Sequence, residues 1–243
     1  MIRLVEKEGE KRRMLDLCEK TPFGVKISSV ATAYGFDKSF ACFWLDTESD
    51  VVFCLVDGVM ILSGTVMERD PIRLFLRTVG AKGVMCAVRN TEALGLEAES
   101  TGDVLKRFLK ATDDTPLPPS PVRIREIYEL LAETGMVEEF EPFYLDLSHK
   151  LRHHSALALT IPGLEGLCAC AVVSSISRKG AILSALAVRE DCRRKGMGTR
   201  LVREIESYFP EKTLYVFREK GKNKEFYRGL GYTKTDTWVY STL

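Results

Sequence analysis

The sequence predicts an α/β fold, an α+β arrangement on a mixed sheet, in two halves of similar design. Short apolar runs bounded by glycine, proline or charged residues are typical of buried strands. Other segments repeat apolar residues at helical spacing, which is typical of amphipathic helices. One order of elements occurs twice: two helices, three strands joined by short turns, one more helix and an apolar strand. This repetition predicts two domains with a common plan.

The first half begins with a short strand that precedes its helices. Asp57-Gly58 is a tight-turn signal between two strands. Pro71 suits the first position of a helix, and Gly80 follows the end of that helix. The predicted strands are residues 2–5, 40–45, 51–56, 59–62 and 84–88, and the predicted helices are 9–20, 25–34, 71–79 and 104–110.

A proline-rich segment, TPLPPSP at residues 115–121, separates the halves. Proline at this density continues neither a helix nor a central strand, so a semi-rigid linker is predicted. The predicted domains are therefore residues 1–114 and residues 122–243.

The second half repeats the plan of the first. Short turns at residues 162–166 and 178–180 separate three apolar runs, which predicts an antiparallel meander. The predicted helices are residues 122–133, 139–151, 222–230 and a segment beginning at Thr199, and the predicted strands are 156–161, 167–176, 181–188, 213–217 and 238–242.

The shared order of elements indicates an ancient duplication. In the first half, the turn between the meander and its helix is Met67-Glu68-Arg69-Asp70-Pro71, which lacks the Gly-x-Gly found in the second half. We interpret the first half as a copy that has lost this loop.

Composition narrows the class of protein. The 243 residues carry a formal net charge of +1, so no overall field favours nucleic acid or a membrane surface. No apolar segment approaches membrane-spanning length, and the charged N-terminus lacks a signal core. The seven cysteines form no CxxC pair, which favours reduced core residues over zinc ligands or disulfides. We expect a cytoplasmic monomer or homodimer that binds no metal, nucleic acid or membrane.

The stretch from Ala181 to Phe209 carries the strongest functional signal. An apolar octet ends at Val188, and the basic sequence Arg193-Arg194-Lys195-Gly196-Met197-Gly198 precedes an amphipathic run. Strand, glycine loop and helix in this order leave the first helical amides without partners, beside the positive end of the helix dipole. The pattern predicts an anion site, for phosphate in particular.

Two nucleotide-binding motifs are excluded by spacing. The phosphate loop of nucleoside triphosphatases requires Gly-x-x-x-x-Gly-Lys-Ser/Thr, which does not occur here. The dinucleotide fingerprint requires a glycine where this chain has Leu201, and it follows a parallel strand rather than an antiparallel meander.

Arg193-x-x-Gly196-x-Gly198 after Leu186-Ala187-Val188 resembles the pyrophosphate loop of the GCN5-related N-acetyltransferases, the GNAT superfamily. Residues 223–232, NKEFYRGLGY, resemble the second signature of that family, in which an asparagine precedes an aromatic pair and a glycine-rich turn. The resemblance covers the second half of the chain. It implies a GNAT domain at 122–243 and a degenerate GNAT-like domain at 1–114.

The resemblance also implies a cosubstrate, acetyl-CoA, and a role for each matching residue. The Val188 amide would polarise the acetyl carbonyl, and Tyr227 would protonate the CoA sulfur. Asn223 would hydrogen-bond the pantetheine arm, which would pair with the edge of a strand made irregular by a bulge. The implied CoA-binding residues are Leu186, Ala187, Val188, Arg193, Arg194, Lys195, Gly196, Met197, Gly198, Thr199 and Asn223.

The general base and the acceptor are left open by the sequence. Several family members carry a glutamate on the strand that ends at Val188, where this chain offers only Ser184. A water chain, His149 or His153 could serve instead. The resemblance as a whole implies direct acetyl transfer to a primary amine of a small molecule or peptide. The alternative is an acyl-CoA-binding or sensing module without catalytic activity.

Overall fold

The computed structural model describes residues 1–67, 69–111 and 116–243. The chain forms two compact units. Unit 1 consists of residues 1–106 together with 216–243, and unit 2 consists of residues 107–215.

Helices and strands follow one another in a similar order in the two halves of the chain. The first half contains β1 (Ile2–Leu4), α1 (Glu8–Cys18), α2 (Pro22–Tyr34), β2 (Ala41–Asp46), β3 (Val51–Val56), β4 (Val59–Ser63), α3 (Arg69–Thr78), β5 (Gly83–Ala87), α4 (Thr91–Leu94) and β6 (Ser100–Phe108). The second half contains α5 (Ile124–Glu133), α6 (Phe140–Arg152), β7 (Leu157–Pro162), β8 (Leu167–Ile176), β9 (Gly180–Val188), α7 (Met197–Ser207), β10 (Thr213–Glu219), α8 (Lys224–Gly229) and β11 (Thr233–Thr242). The predicted order of two helices, a meander, a helix and a strand is therefore present in both halves.

The sheet of unit 1 includes β11, which is the last strand in the sequence. Strands β1 to β4 are antiparallel neighbours, of which β2 to β4 form the meander, and β5 runs parallel to β4. Strand β11 then lies between β5 and β6 and is antiparallel to both. Val239 of β11 is opposite Cys86 on one side and Thr101 on the other. The C-terminal strand therefore belongs to the core of the first half.

Helices cover both faces of this sheet. Ile72 and Leu76 of α3 pack with Phe53, Leu62 and other residues that share one face of the sheet. Successive strand residues point to opposite faces, and the buried residues of α1 and α2, such as Met14 and Ile27, pack on the other face. The apolar stripe of each helix therefore packs against the apolar side chains on one face of the sheet, which gives a layered core.

Unit 2 has a meander of its own. Strands β7, β8 and β9 are antiparallel neighbours. Helices α5 and α6 pack on one face of the meander through Leu131 and Leu147, which join a core cluster with Val172 and Ala187. The buried stripe of α7 contains Leu201, Val202 and Ile205. The sheet therefore fixes the end of β9 from which the glycine loop departs.

Residues 104–110 were predicted to be helical, and this prediction is wrong because residues 100–108 form β6. The consecutive buried residues Val104 and Leu105 suit a strand that pairs with β11 along its length. Since β11 lies more than a hundred residues further along the chain, local spacing carries no sign of this pairing. The short helix α4 was not predicted, and β11 begins at Thr233 rather than at Trp238.

Most of the cysteines are core residues, as predicted, and the role of the proline-rich segment as a linker stays a prediction. Residues 116–121 form neither helix nor strand, and Thr115 lies outside the described residues. All seven cysteines are free thiols, and all but the partly exposed Cys42 are buried. The predicted division into domains 1–114 and 122–243 describes two copies of one plan and stays a prediction. The compact units divide the chain differently because β11 completes the sheet of unit 1.

We expect a core substitution in β11 to destabilise the first half. Val239 is 2% exposed, and Val239→Ala removes two methyl groups and leaves a cavity, at a cost of roughly 2 kcal/mol. Urea denaturation measures this loss, and hydrogen exchange locates it in β5 and β6. The control is Val88→Ala, because Val88 is 45% exposed. An equal loss in both variants would contradict the assigned pairing.

Candidate functional site

The strand–loop–helix connection predicted to bind an anion lies within unit 2. Strand β9 ends at Val188, a short 3-10 turn spans Glu190–Cys192, and α7 begins at Met197. The Arg189 amide donates to the carbonyl of Cys168 at 2.9 Å, which extends the pairing with β8. The buried Cys192 side chain anchors the turn. The loop therefore starts and ends on rigid elements.

Arg189 neutralises Asp191, one of the two carboxylates, Glu190 and Asp191, that precede the loop in sequence. Its Nε and Nη2 donate to the two carboxylate oxygens of Asp191 at 2.7 and 3.0 Å. These hydrogen bonds lower the pKa of Asp191 to about 2. The guanidinium also donates to the carbonyl of Glu165. Asp191 is therefore ionised but paired, which reduces its repulsion of a bound anion.

The loop is shaped by two left-handed residues, Arg194 with a φ of 61° and Gly196 with a φ of 76°. A Cβ placed on Gly196 would meet nothing within 4 Å, so the backbone angle and not crowding requires glycine here. Arg193 Nε donates to the carbonyl of Val188 at 3.1 Å. Lys195 Nζ donates to the carbonyl of Asp191 at 2.9 Å. These bonds hold two of the three cationic side chains against the loop.

The N-terminus of α7 presents backbone donors. The Arg200 amide makes the first hydrogen bond of the helix, to the carbonyl of Gly196 at 2.9 Å. The preceding amides, of Met197, Gly198 and Thr199, have no acceptor within the helix. Gly198 is helical and has no left-handed φ, so its backbone angle does not require glycine. A glycine there lowers helix stability but leaves space for a ligand to approach the backbone.

The direction of the Val188 amide follows from the strand pairing. The Arg189 N–H points toward β8, and successive N–H groups in a strand point to opposite edges. The Val188 N–H is therefore directed away from β8. Its carbonyl lies on the same edge, where Arg193 binds it. Leu186 and Val188 are partly exposed, whereas Ala187 is buried in the core cluster with α5 and α6.

Strand β9 is irregular four residues before its end. In its pairing with β8, Ser184 and Ser174 are each skipped in the register, which marks bulges in both strands. The two hydroxyls hydrogen-bond to one another, and Ser184 is exposed. The bulge expected on this strand is therefore present, and the exposed residue at the bulge is a serine.

Asn223 and Tyr227 lie in unit 1, since residues 216–243 belong to that unit. Asn223 is left-handed, with a φ of 54°, and immediately precedes α8. Tyr227 is 6% exposed, and its ring contacts those of Phe226 and Tyr232. Burial raises the pKa of Tyr227 to about 12, and the positive charge of Arg218 opposes this rise. The phenol is therefore protonated at neutral pH.

The predicted residues fall into two groups. One is contiguous in unit 2 and runs from Leu186 to Thr199, and the other is formed by Asn223 and Tyr227 in unit 1. The roles assigned to all of them stay predictions. Of the open candidates for a base, His149 lies in the last turn of α6 and His153 directly follows the helix, and their ring centroids are 4.3 Å apart.

Within the described ranges, His, Cys, Asp and Glu side chains do not gather in threes that could hold a metal ion. In the same part of the chain, the helices are too short or too polar to span a membrane.

Comparison with protein families gives a match for part of the second half. Residues 157–234 match the acetyltransferase (GNAT) domain model, a segment that includes β9, the loop, α7 and α8. These residues therefore form a GNAT domain. A search of curated proteins finds no significant match.

Solved structures share the fold over the full chain. A tandem GNAT protein from the clavulanic acid biosynthesis pathway is 14% identical, with a TM-score of 0.60, and the match covers 100% of this chain and 98% of the other. A GCN5-related N-acetyltransferase from Sphaerobacter thermophilus is 12% identical, with a TM-score of 0.62 and coverage of 99% and 94%. Saccharomyces cerevisiae N-myristoyltransferase with bound myristoyl-CoA is 8% identical, with a TM-score of 0.54 and coverage of 99% and 79%. The chain therefore has a tandem GNAT fold.

Replacement of Gly196 by alanine should destabilise the protein. The left-handed φ of 76° costs a residue with a Cβ about 1–2 kcal/mol. Gly9→Ala is the control, because Gly9 lies in α1 with nothing within 4 Å of its Cβ position. This control should be stabilising by roughly 0.5–1 kcal/mol. Urea denaturation compares the two, and a loss of stability no greater for Gly196→Ala than for Gly9→Ala would contradict the left-handed assignment.

Proposed function

We propose that this chain, in which residues 157–234 form a GNAT acetyltransferase domain, transfers an acetyl group from acetyl-CoA directly to a primary amine. The acceptor is a small molecule or a peptide. The observation that carries the proposal is the connection between β9 and α7. Its left-handed Gly196, its cationic side chains and the first amides of α7 provide fixed donors and positive charge for a pyrophosphate.

Each segment of the site has a binding role in this proposal. Residues 193–199 hold the pyrophosphate, with Gly198 giving the backbone close access to it. Leu186, Ala187 and Val188 offer a strand edge to the amides of the pantetheine arm, and Asn223 hydrogen-bonds the same arm. No strongly basic or metal-bound group is needed for these tasks, since they depend on positioned donors.

The chemistry follows from two donors of this chain. Acetyl-CoA, when bound, supplies the thioester carbonyl that the neutral amine attacks. The Val188 N–H, which is directed away from β8, stabilises negative charge on the carbonyl oxygen. Tyr227 holds the proton that the departing sulfur requires, and its pKa of about 12 keeps the phenol protonated. The amide and the phenol therefore have complementary tasks.

A second candidate is an acyl-CoA-binding or sensing module without turnover. The observation that favours it is the bulge of β9, where the exposed side chain is Ser184 and not a carboxylate. A serine hydroxyl does not remove a proton from an ammonium group at neutral pH, so catalysis requires another base.

Two measurements test the proposal. Calorimetry with CoA measures binding, and a thiol assay with acetyl-CoA and a panel of primary amines measures turnover. Binding together with amine-dependent release of thiol supports the transferase. Binding without turnover on any amine supports the sensing module, and absence of binding contradicts both.

Gly198→Trp should abolish CoA binding. An indole at the second position of α7 fills the space beside the first helical amides, so a pyrophosphate can no longer approach them. Calorimetry measures the affinity of the variant for CoA. Gly9→Trp, a glycine in the first turn of α1 with open space around it, is the matched control and should bind CoA normally. Unchanged affinity in Gly198→Trp would overturn the site assignment.

Tyr227→Phe should lower kcat by about a hundredfold, because it removes the proposed proton donor. The dissociation constant for CoA should change little. Because the pKa of Tyr227 is about 12, the ratio of wild-type to variant kcat should stay constant from pH 7 to about pH 10. Tyr208→Phe, which removes a phenol that donates to the Leu117 carbonyl, is the control. Equal kcat in wild type and Tyr227→Phe would exclude a role for the phenol in proton transfer.

A further inference from the structure

Arg218, at the end of β10, is a buried cation of unit 1 whose partners come from both halves of the sequence. Its side chain is 9% exposed. One terminal nitrogen donates to the carboxylate of Asp103, on β6 of the first half. The other donates to the carbonyl of Lys222 at 2.6 Å. A buried guanidinium requires such partners, because loss of the carboxylate leaves its charge uncompensated and loss of the carbonyl leaves a buried N–H without an acceptor.

Gly102, the residue before Asp103, lies against the backbone of the same arginine. A Cβ on Gly102 would lie 2.0 Å from the carbonyl oxygen of Arg218 and 2.5 Å from Trp238 Nε1. The Trp238 indole donates to that carbonyl at 3.1 Å. Only glycine allows β6 to approach so closely. Two consecutive residues of the first half, Gly102 and Asp103, therefore fit the backbone and the side chain of Arg218.

Asp103 is held in its ionised form. Lys234 Nζ lies 2.7 Å from its second oxygen. Hydrogen bonding to Lys234 and the charge of Arg218 lower the pKa of Asp103. The carboxylate thus bridges a mostly exposed lysine and a buried arginine, and of these two cations only Arg218 also binds the turn that follows β10.

That turn leads directly to the predicted ligand-binding residues. Residues 220–223 are exposed, so few side-chain contacts order them. The bond from Arg218 to the carbonyl of Lys222 fixes the peptide that joins Lys222 to Asn223. Asn223 immediately precedes α8, which carries Tyr227. The charge of Arg218 also acts on Tyr227. One side chain therefore connects β6 to both predicted residues.

We propose that Asp103 is a positioning residue for acetyl-CoA: through Arg218 it orders the turn at residues 220–223 and so orients Asn223. The proposal rests on the proposed function, because it takes Asn223 to be a ligand of the pantetheine arm. It also assigns a task to the first half of the chain. That half supplies, through β6, the carboxylate of Asp103 that pairs with Arg218 of the second half.

The test uses the full chain and two variants. Asp103→Asn removes the charge at nearly constant shape, and Arg218→Lys keeps a cation but loses the fork that spans Asp103 and Lys222. Hydrogen exchange should rise in both variants at residues 219–227 more than elsewhere in unit 1. The dissociation constant for CoA should rise roughly tenfold, the change expected when one hydrogen bond to the ligand is lost. Lys234→Met, which removes the other cation on Asp103, is the control and should leave both measurements near wild type.

The outcomes separate this inference from the proposed function. Wild-type protein that does not bind CoA contradicts the proposed function. Wild-type binding with unchanged affinity and unchanged exchange in both variants overturns the positioning role and leaves the transferase intact. Faster exchange throughout unit 1 with unchanged CoA affinity also overturns it, because that pattern describes a structural ion pair only.

Discussion

The pairing of β11 between β5 and β6 is the interaction on which much of this structure depends. Strand β11 is the last element of the chain, yet its ladders with β5 and β6 run from Thr233 to Thr242. The pairing makes the first half incomplete without the end of the second. It also explains why residues 216–243 group with residues 1–106 in one compact unit. Closing so long a loop costs conformational entropy, which the buried residues on both sides of β11 offset.

The consequences extend to residues with chemical roles in our proposal. Because β11 holds β6 as a strand, Gly102 and Asp103 are placed against Arg218 and Trp238. In isolation residues 104–110 have the spacing of a short helix, and a helix there would remove Asp103 from this position. A strand pairing formed over a long sequence separation thus determines which carboxylate serves the turn before Asn223.

The loop after β9 illustrates a different kind of constraint, one that is local. Its left-handed Gly196, the helical Gly198 and the orphan amides of α7 follow from a few consecutive residues. The sheet adds direction, because pairing with β8 decides which edge of β9 carries the Val188 N–H. The pairing of β8 with β9 also contains bulges at Ser174 and Ser184, which the periodicity of apolar residues does not predict. The basic residues were predicted as a group, but Arg193 and Lys195 also bind the carbonyls of Val188 and Asp191 and thereby order the loop.

The sequence by itself determined the order of two helices, a meander, a helix and a strand in both halves, the core positions of most cysteines, the glycine loop and the match of residues 157–234 to the GNAT family. These depend on periodicity, turn residues and short motifs, which act over a few residues. Only the tertiary structure decided that residues 100–108 form a strand, that β11 completes the first half, and that Asp103 meets Arg218. The physical reason is that strand pairing and buried ion pairs join residues far apart in the chain, whose individual propensities do not specify their partners.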